Sequence, residues 1–338
     1  MSFECRPSTS ADEHALIELL TRVFAADSQA AFVNPALLRW KYWEPREDYT
    51  APRSFVMEKD GRMVAHIGLW PVTLRTGPKS ETGVHIIDWA ADPEVSGSGV
   101  FLLQKMARTF DFVYAIGGSD ATQSILPKFG FHAVAEAHVW ARPIRPWRQF
   151  RNHQSVDWRL PARLARNVWW AHSPGKSVDP NWTAAESNDI SSNGLGMLAS
   201  ESTSALFRYV RRCPSVQSRI FHVLHNARPV GFFVLSAVWE QARVAGVWLE
   251  DSSTDAWAAA FRLAQETALK LTSASELIAR CGPGPANLGA EKAGLRLRAR
   301  IPVFVFRKSG DVEPLQLSFH FLDNDAFFLG GPSAGFAT

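Results

Sequence analysis

Apolar and polar positions along this chain fall into blocks whose repeat switches between about 3.6 residues and 2, and the switches mark the expected elements. Ala15, Leu16, Leu19, Leu20, Val23 and Phe24 recur at helical spacing behind Ser10 and Asp12, which suit an N-cap, so a strand and then an amphipathic helix are expected before residue 30. Between Ser54 and Leu74 a Lys-Asp-Gly-Arg turn separates two β-rich runs, which predicts a hairpin. A third strand, VHIIDWAAD, leads into a Gly-Ser-Gly loop. There follows a helix whose Val100, Leu103, Met106, Ala107 and Phe110 share one face. DFVYAIGG reads as a strand, ATQSILPKFGF as a short helix or turn closing on Gly130, and HAVAEAHVWA as another strand. Residues 143–195 change character, from the basic PIRPWRQFRNHQ through the tryptophan-rich ARLARNVWWAH to the polar NWTAAESNDISSNG, and read as a connector.

The pattern then repeats. Leu38-Arg39-Trp40-Lys41-Tyr42, followed by Pro45, is echoed by Leu206-Phe207-Arg208-Tyr209, followed by Pro214. Phe55–Gly68, turning at Gly61-Arg62-Met63-Val64-Ala65, is echoed by Phe221–Phe233, turning at Ala227-Arg228-Pro229-Val230-Gly231. Lys128-Phe129-Gly130-Phe131 is echoed by Lys292-Ala293-Gly294-Leu295. Three echoes in one order and at nearly one offset predict two copies of one unit. The second copy also has a strand, ARVAGVWLED, a helix, TDAWAAAFRLAQETALKL, and a strand, ELIARCG, but no glycine loop. The expected division is 1–144, a connector over 145–195, a second unit over 196–308 and a tail over 309–338. The length of 338 residues agrees with two units.

Composition narrows the partners. A net charge of +3 from 36 basic and 33 acidic side chains gives no electrostatic case for nucleic acid or an anionic membrane. Apolar runs fall short of the roughly 18 residues a spanning helix needs, so no membrane insertion is expected. Cys5, Cys213 and Cys281 are scattered, with neither CxxC spacing nor a histidine cluster beside them. They predict buried reduced thiols in a cytoplasmic protein and no metal site.

The chemistry concentrates at Asp92-Pro93-Glu94-Val95-Ser96-Gly97-Ser98-Gly99-Val100-Phe101, where a strand ends and a helix begins. Successive backbone N–H groups there, with the positive end of the helix dipole, make a cradle for phosphate or pyrophosphate, and glycines let the ligand approach the main chain. Strand, Pro-Glu-Val-Ser-Gly-Ser-Gly-Val, helix, strand and Lys-Phe-Gly-Phe together resemble the acyl-CoA segment of the GNAT N-acetyltransferases over residues 1–142. The Leu-Arg-Trp-Lys-Tyr stretch, Asp88, Phe101 and Arg142-Pro143 resemble, more narrowly, a tandem GNAT group associated with bacterial polysaccharide and cell-surface glycan synthesis.

The fold this implies is α/β, with two GNAT-like domains, each a mixed, mostly antiparallel central sheet flanked by helices. The resemblance places Ala90, Ala91, Gly97, Ser98, Gly99, Val100 and Phe101 at acetyl-CoA or another acyl-CoA, and Trp40 and Tyr42 over the acceptor. Two positions depart from the family: Ser96 stands where an Arg or Gln is usual, and Leu126 where many members have a Tyr that protonates the leaving thiolate. Direct attack by an amine on a thioester needs orientation, a base and oxyanion stabilisation. Asp88, on the strand entering the loop, is the first candidate base, followed by Glu94 and His85. Glu250, beside Asp251 at the end of the corresponding second-half strand, is a candidate for an acceptor pocket, with capping of the next helix by Asp251 or Ser253 as the competing reading. Asp323 and Asp325 read as surface carboxylates of the tail, and no metal is assigned to them.

The expected activity is transfer of an acetyl or other acyl group from acyl-CoA to an amino group of a saccharide, nucleotide sugar or peptide-like acceptor. The alternative is a degenerate, non-catalytic GNAT-like module that binds CoA, a glycan or a partner protein. A Fem-type peptidyltransferase fits less well, because no long helical insertion or basic tRNA face is present in the sequence.

Overall fold

The hairpin at Lys59–Arg62 forms as expected, with Asp60 (φ 52°) and Gly61 (φ 79°) both left-handed, the turn whose twist matches that of its flanking strands. It joins β2 (Ser54–Lys59) to β3 (Arg62–Thr76); β1 (Phe3–Pro7) pairs outside β2 and β4 (Lys79–Ala91) inside β3, all antiparallel. The computed structural model describes residues 3–26, 30–76, 79–152, 158–173, 179–188, 201–251, 253–310, 320–330 and 336–338. The polar end of the connector (189–200) and the start of the tail (311–319) lie outside them.

Helix α1 (Glu13–Val23) buries Leu16, Leu19 and Leu20, the stripe predicted from its spacing. The short α2 (Pro35–Leu38), capped by the Asn34 side chain, runs into a π-helical turn over Arg39–Trp43 that buries Trp40, Lys41 and Tyr42. After β4 come α3 (Ser98–Thr109), β5 (Phe112–Ile116), α4 (Asp120–Ile125) and β6 (His132–Pro143). Parallel β4 and β5 pair at Val84↔Val113 and His85↔Tyr114. Beyond His85 they part, so the edge of β4 facing β5 from Ile86 to Ala91 has no strand partner among the described residues.

The connector supplies α5 (Pro146–Arg151), α6 (Leu160–His172) and, within the span read as linker, strand β7 (Trp182–Ser187). The second half then repeats the first: α7 (Glu201–Val210), β8 (Ser218–His225), β9 (Arg228–Val238), β10 (Gln241–Leu249), α8 (Thr254–Leu271), β11 (Glu276–Cys281), α9 (Pro285–Lys292) and β12 (Arg296–Arg307). Its hairpin turns at Asn226 (φ 52°) and Ala227 (φ 61°), the same left-handed pair without a glycine. Ser253 caps α8 with its hydroxyl, and Asp251 accepts the Ser253 N–H at 2.8 Å, so the capping reading holds there. The three cysteines are free, with Cys213 and Cys281 buried.

All twelve strands form one sheet in the order β1-β2-β3-β4-β5-β12-β6-β11-β10-β9-β8-β7. At its centre the halves trade strands. β12 pairs with β5 of the first half, β6 pairs with β11 of the second, and β6 and β12 pair with each other, all antiparallel. The core crosses the same boundary: Trp40 stacks on Tyr209 at 4.8 Å and 12°, and Trp70 lies within 6.0 Å of Tyr209, Phe327 and Phe328. Phe321, Leu322, Phe327 and Phe328 are all buried, so residues 320–330 of the tail fill the junction between the halves. No helix of the described residues is long and apolar enough to cross a membrane.

Candidate active site

The loop between β4 and α3 is built on Asp92. Its N–H bonds Val64 at 2.8 Å, one carboxylate oxygen accepts the Glu94 N–H at 3.0 Å, and the other accepts Arg62 at 2.5 Å and Arg22 at 3.1 Å. The main chain then folds back, Val95 N–H to Asp92 C=O, before α3 starts. Gly97 is left-handed (φ 81°) at the helix N-cap, and a Cβ there would project into open space. Gly99 has a different reason to be glycine: a Cβ would sit 2.8 Å from the Ala91 Cβ and 3.2 Å from the Trp89 indole nitrogen, which donates to the Gly99 carbonyl at 3.0 Å.

Glycine at 99 thus lets α3 lie against β4, while glycine at 97 keeps the space ahead of the helix clear. That space is a cleft of about 300 Å³ lined by Trp89, Ala91, the loop, Val100 and, from α4, Thr122 and Ile125. The first-turn amides of Gly99 and Val100 have no acceptor within their own helix, which is the requirement for holding an anion. Ala91 borders the cleft and Ala90 is buried beside it; the Ser98 side chain is buried, whereas the Phe101 ring is 56% exposed.

Asp88 sits in a bulge, where pairing passes from His66↔Ala90 to Gly68↔Ile87, and has φ 45°. Its carboxylate accepts hydrogen bonds from Lys41 Nζ and Tyr42 OH, and the Tyr42 ring fits there because Gly68 has no side chain: a Cβ would lie 2.7 Å from it. Behind it runs a buried polar chain, from the Asp88 carbonyl to His66 Nδ1 at 2.9 Å, His66 Nε2 to Ser54 at 3.0 Å, Ser54 to Ser8 at 2.5 Å, and the Trp43 indole N–H to Ser8 at 3.0 Å. Burial alone raises the Asp88 carboxyl, but the Lys41 charge and the two hydrogen bonds hold it below the usual range.

An ion-paired carboxylate of lowered basicity is a poor proton acceptor, which argues against Asp88 as the base. The Glu94 side chain is 78% exposed, 3.8 Å from Arg62. Burial pushes His85 down to about 3, and its Nε2 accepts the Ile116 N–H at 3.0 Å where β4 and β5 part, so it braces the fork as a neutral ring. Trp40 is core, donating to the Tyr209 carbonyl at 3.3 Å, and Tyr42 is spent on Asp88; neither presents a face to an acceptor. Glu250 bonds Val230 through its N–H at 2.9 Å, as Asp92 bonds Val64, and its carboxylate pairs with exposed Arg228 at 2.7 Å. Leu126 is fully buried.

The tail brings carboxylates that the sequence placed at the surface. Trp70 donates to the Leu322 carbonyl at 2.9 Å and Tyr114 to the Asp323 carbonyl at 2.5 Å, so Asp323 and Asp325 enter the junction. Asp323 accepts the His320 N–H at 2.6 Å, and burial pushes its carboxyl up to about 7 against the opposing Arg280 charge. Burial, and then the Asp88 charge, push Asp325 up to about 6, with Lys41 and Arg280 opposing. Both aspartates keep partial solvent access, whereas Arg280 is buried over the Phe321 ring at 4.6 Å. Carboxylates raised toward neutral pH that keep partial solvent access are candidate acid–base groups that the sequence reading did not single out; the signal available was Asp-Asn-Asp enclosed by phenylalanines. No group of three or more potential ligands among the described residues could hold a metal ion.

Residues 4–114 match the family model described as an acetyltransferase (GNAT) domain. No curated protein matches the chain. Among solved structures it is similar to a tandem GNAT protein from the clavulanic acid biosynthesis pathway (11% identity, TM-score 0.58, covering 92% of this chain and 100% of that one). It is also similar to the N-myristoyltransferase of Saccharomyces cerevisiae with bound myristoyl-CoA (12%, 0.61, 93% and 81%). A putative acetyltransferase from Pyrococcus horikoshii is a further match (11%, 0.56, 97% and 96%). At such identities the likeness is one of fold. The chain is thus a pair of GNAT-like α/β domains joined in one sheet, the first of which matches the GNAT acetyltransferase domain model over residues 4–114.

Proposed function

We propose that the protein is an acyl-CoA-dependent N-acyltransferase that moves an acetyl or other acyl group to an amino group of a small-molecule or glycan acceptor. The acceptor classes are a saccharide, a nucleotide sugar or a peptide-like amine. The observation that carries this reading is the cleft at Gly97: open space ahead of the α3 amides, continuous with a β4 edge that has no strand partner among the described residues. The Gly99 and Val100 amides hold the pyrophosphate, and the open β4 edge at Trp89–Ala91 takes the pantetheine amides as a missing strand would.

The amine attacks the thioester carbonyl, a C–N bond forms, the C–S bond breaks with the electron pair leaving on sulfur as the CoA thiolate, and the nitrogen gives up a proton. We assign that proton to Asp325, whose carboxyl feels the charge of Asp88 on β4, the strand that enters the cradle. With its carboxyl at about 6 it is ionised at neutral pH and basic enough to accept, whereas Asp323 is engaged by His320. Activity therefore rises with pH through about 6, as the base loses its proton. Asp325→Asn is expected to lower kcat by about 100-fold or more and remove that limb of the profile. An unchanged pH profile in Asp325→Asn assigns the base elsewhere.

Binding is tested first by the melting temperature with and without acetyl-CoA, since a ligand present at about 100 times its Kd stabilises the native state by about 2.7 kcal/mol. Ser96 is exposed at the mouth of the cradle, so Ser96→Glu is expected to leave the apo protein folded, set a carboxylate against the pyrophosphate and weaken acetyl-CoA by about tenfold or more. Gly99 is the wrong position for this test, because any side chain there strikes Ala91. A melting temperature that ignores acetyl-CoA, longer acyl-CoAs and free CoA alike sinks the proposal. A shift without thiol release across amine acceptors leaves the non-catalytic CoA-binding module.

A further inference from the structure

A larger pocket, of about 990 Å³, opens where the halves and the connector meet, between β6, α6, the end of α9 and the start of β12. It shares no lining residue with the Gly97 cleft. Its volume is at the upper end of what small-molecule sites use. Its chemistry is cationic and aromatic: Arg142, Lys292, Arg296 and Arg300 line it with Trp140, Trp169 and Trp170, against one carboxylate, Glu291.

Two of the cations are compensated. Lys292 pairs with Asp255, and Arg300 lies 3.9 Å from Glu136. The other two have no carboxylate among the described residues. Arg142 is buried, its guanidinium donating only to carbonyls: Ala293 at 3.2 Å, Trp170 and Ala171 at 3.4 Å, and Ser173 at 3.1 Å. Its Nε has no partner among the described residues. The Arg296 guanidinium lies 4.6 Å from the Trp170 ring and 5.6 Å from the Trp169 ring. Burial and the charges of Arg262 and Arg296 lower the Arg142 pKa, and Arg296 likewise acts on Arg166 beside Arg298 and Arg163.

Like charges gathered without counter-charges destabilise the fold, and a bound anion removes that cost. A guanidinium fork selects phosphate or carboxylate, while Trp169, 63% exposed, offers a flat face to a ring. We infer that this pocket binds an anionic ligand with a flat ring, of the nucleoside phosphate class, at a site separate from the acyl-CoA cradle. The phosphates meet Arg296 and the positive field around Arg142, and the ring stacks on Trp169.

The test is calorimetric titration of the full chain carrying Ser96→Glu, which weakens binding at the cradle, with UDP, ADP, uridine and inorganic pyrophosphate. UDP or ADP is expected to bind, with about tenfold or greater weakening by Arg296→Glu and about fivefold by Trp169→Ala; both residues are exposed, so both variants fold. Failure of both nucleotides to bind at about 1 mM overturns the inference, as does binding that neither substitution weakens. Pyrophosphate binding as tightly as UDP overturns the role of the ring, and uridine binding as tightly as UDP overturns that of the charge.

Discussion

Replacing Asp88 with alanine while Lys41 stays in place is expected to destabilise the protein by about 3–5 kcal/mol, read as a fall in the urea midpoint at unchanged slope. The Lys41 side chain is fully buried, and Asp88 is the carboxylate that neutralises it. Removing that carboxylate strands an ammonium in a medium that solvates it poorly and leaves the Tyr42 hydroxyl without its acceptor. The double variant Asp88→Ala with Lys41→Met is expected to recover most of the loss, because no charge is then buried alone. A single variant that loses less than about 1 kcal/mol would show the pair to be solvated like a surface ion pair. The sign with pH follows from the lowered carboxyl. The pair's contribution is present above the ordinary aspartate value of about 3.9 and is lost as pH falls through the lower folded value.

Separating the halves is expected to do more. Residues 1–144 expressed alone should give no cooperative melting transition, and co-expression with 145–338 should restore a soluble complex. The fragment keeps β5 and β6 but loses β12, which lies between them, and β11, which covers the other edge of β6. Trp40 and Trp70 lose Tyr209, Phe327 and Phe328, aromatic neighbours each worth about 0.5–1.5 kcal/mol beyond the area they bury. Set against a typical total stability of about 5–15 kcal/mol, these losses and the open strand edges leave little to hold the fragment. A monomeric 1–144 fragment that melts cooperatively would mean that β6 returns to the edge of β5, making the exchange dispensable.

The difference between the legible and the illegible parts of this protein is one of range. The hairpin at Asp60-Gly61, the apolar stripes of α1 and α3, the capping of α8 and the glycine loop at Gly97 depend on residues within a few positions of each other, and a sequence records such relations directly. The internal repeat was legible for the same reason, down to the left-handed turn that the second half makes with Asn226-Ala227.

Strand exchange was not. The alternation in β6 specifies which side chains face the core, and pairing with β5 or with its counterpart β11 satisfies that alternation equally. Roles within the candidate site followed the same divide. Asp88 stands at the right place in its strand, but its ionisation is set by Lys41, 47 residues away in sequence. Asp323 and Asp325 look like surface residues until Phe321, Phe327 and Phe328 draw them into the junction, where burial moves their carboxyls toward neutrality. The sequence by itself determined the elements, the two copies and the glycine loop at which α3 begins. Which strands meet, and which carboxylates are held charged or left able to take a proton, was decided by tertiary packing, because pairing partners and desolvation are properties of neighbours in space.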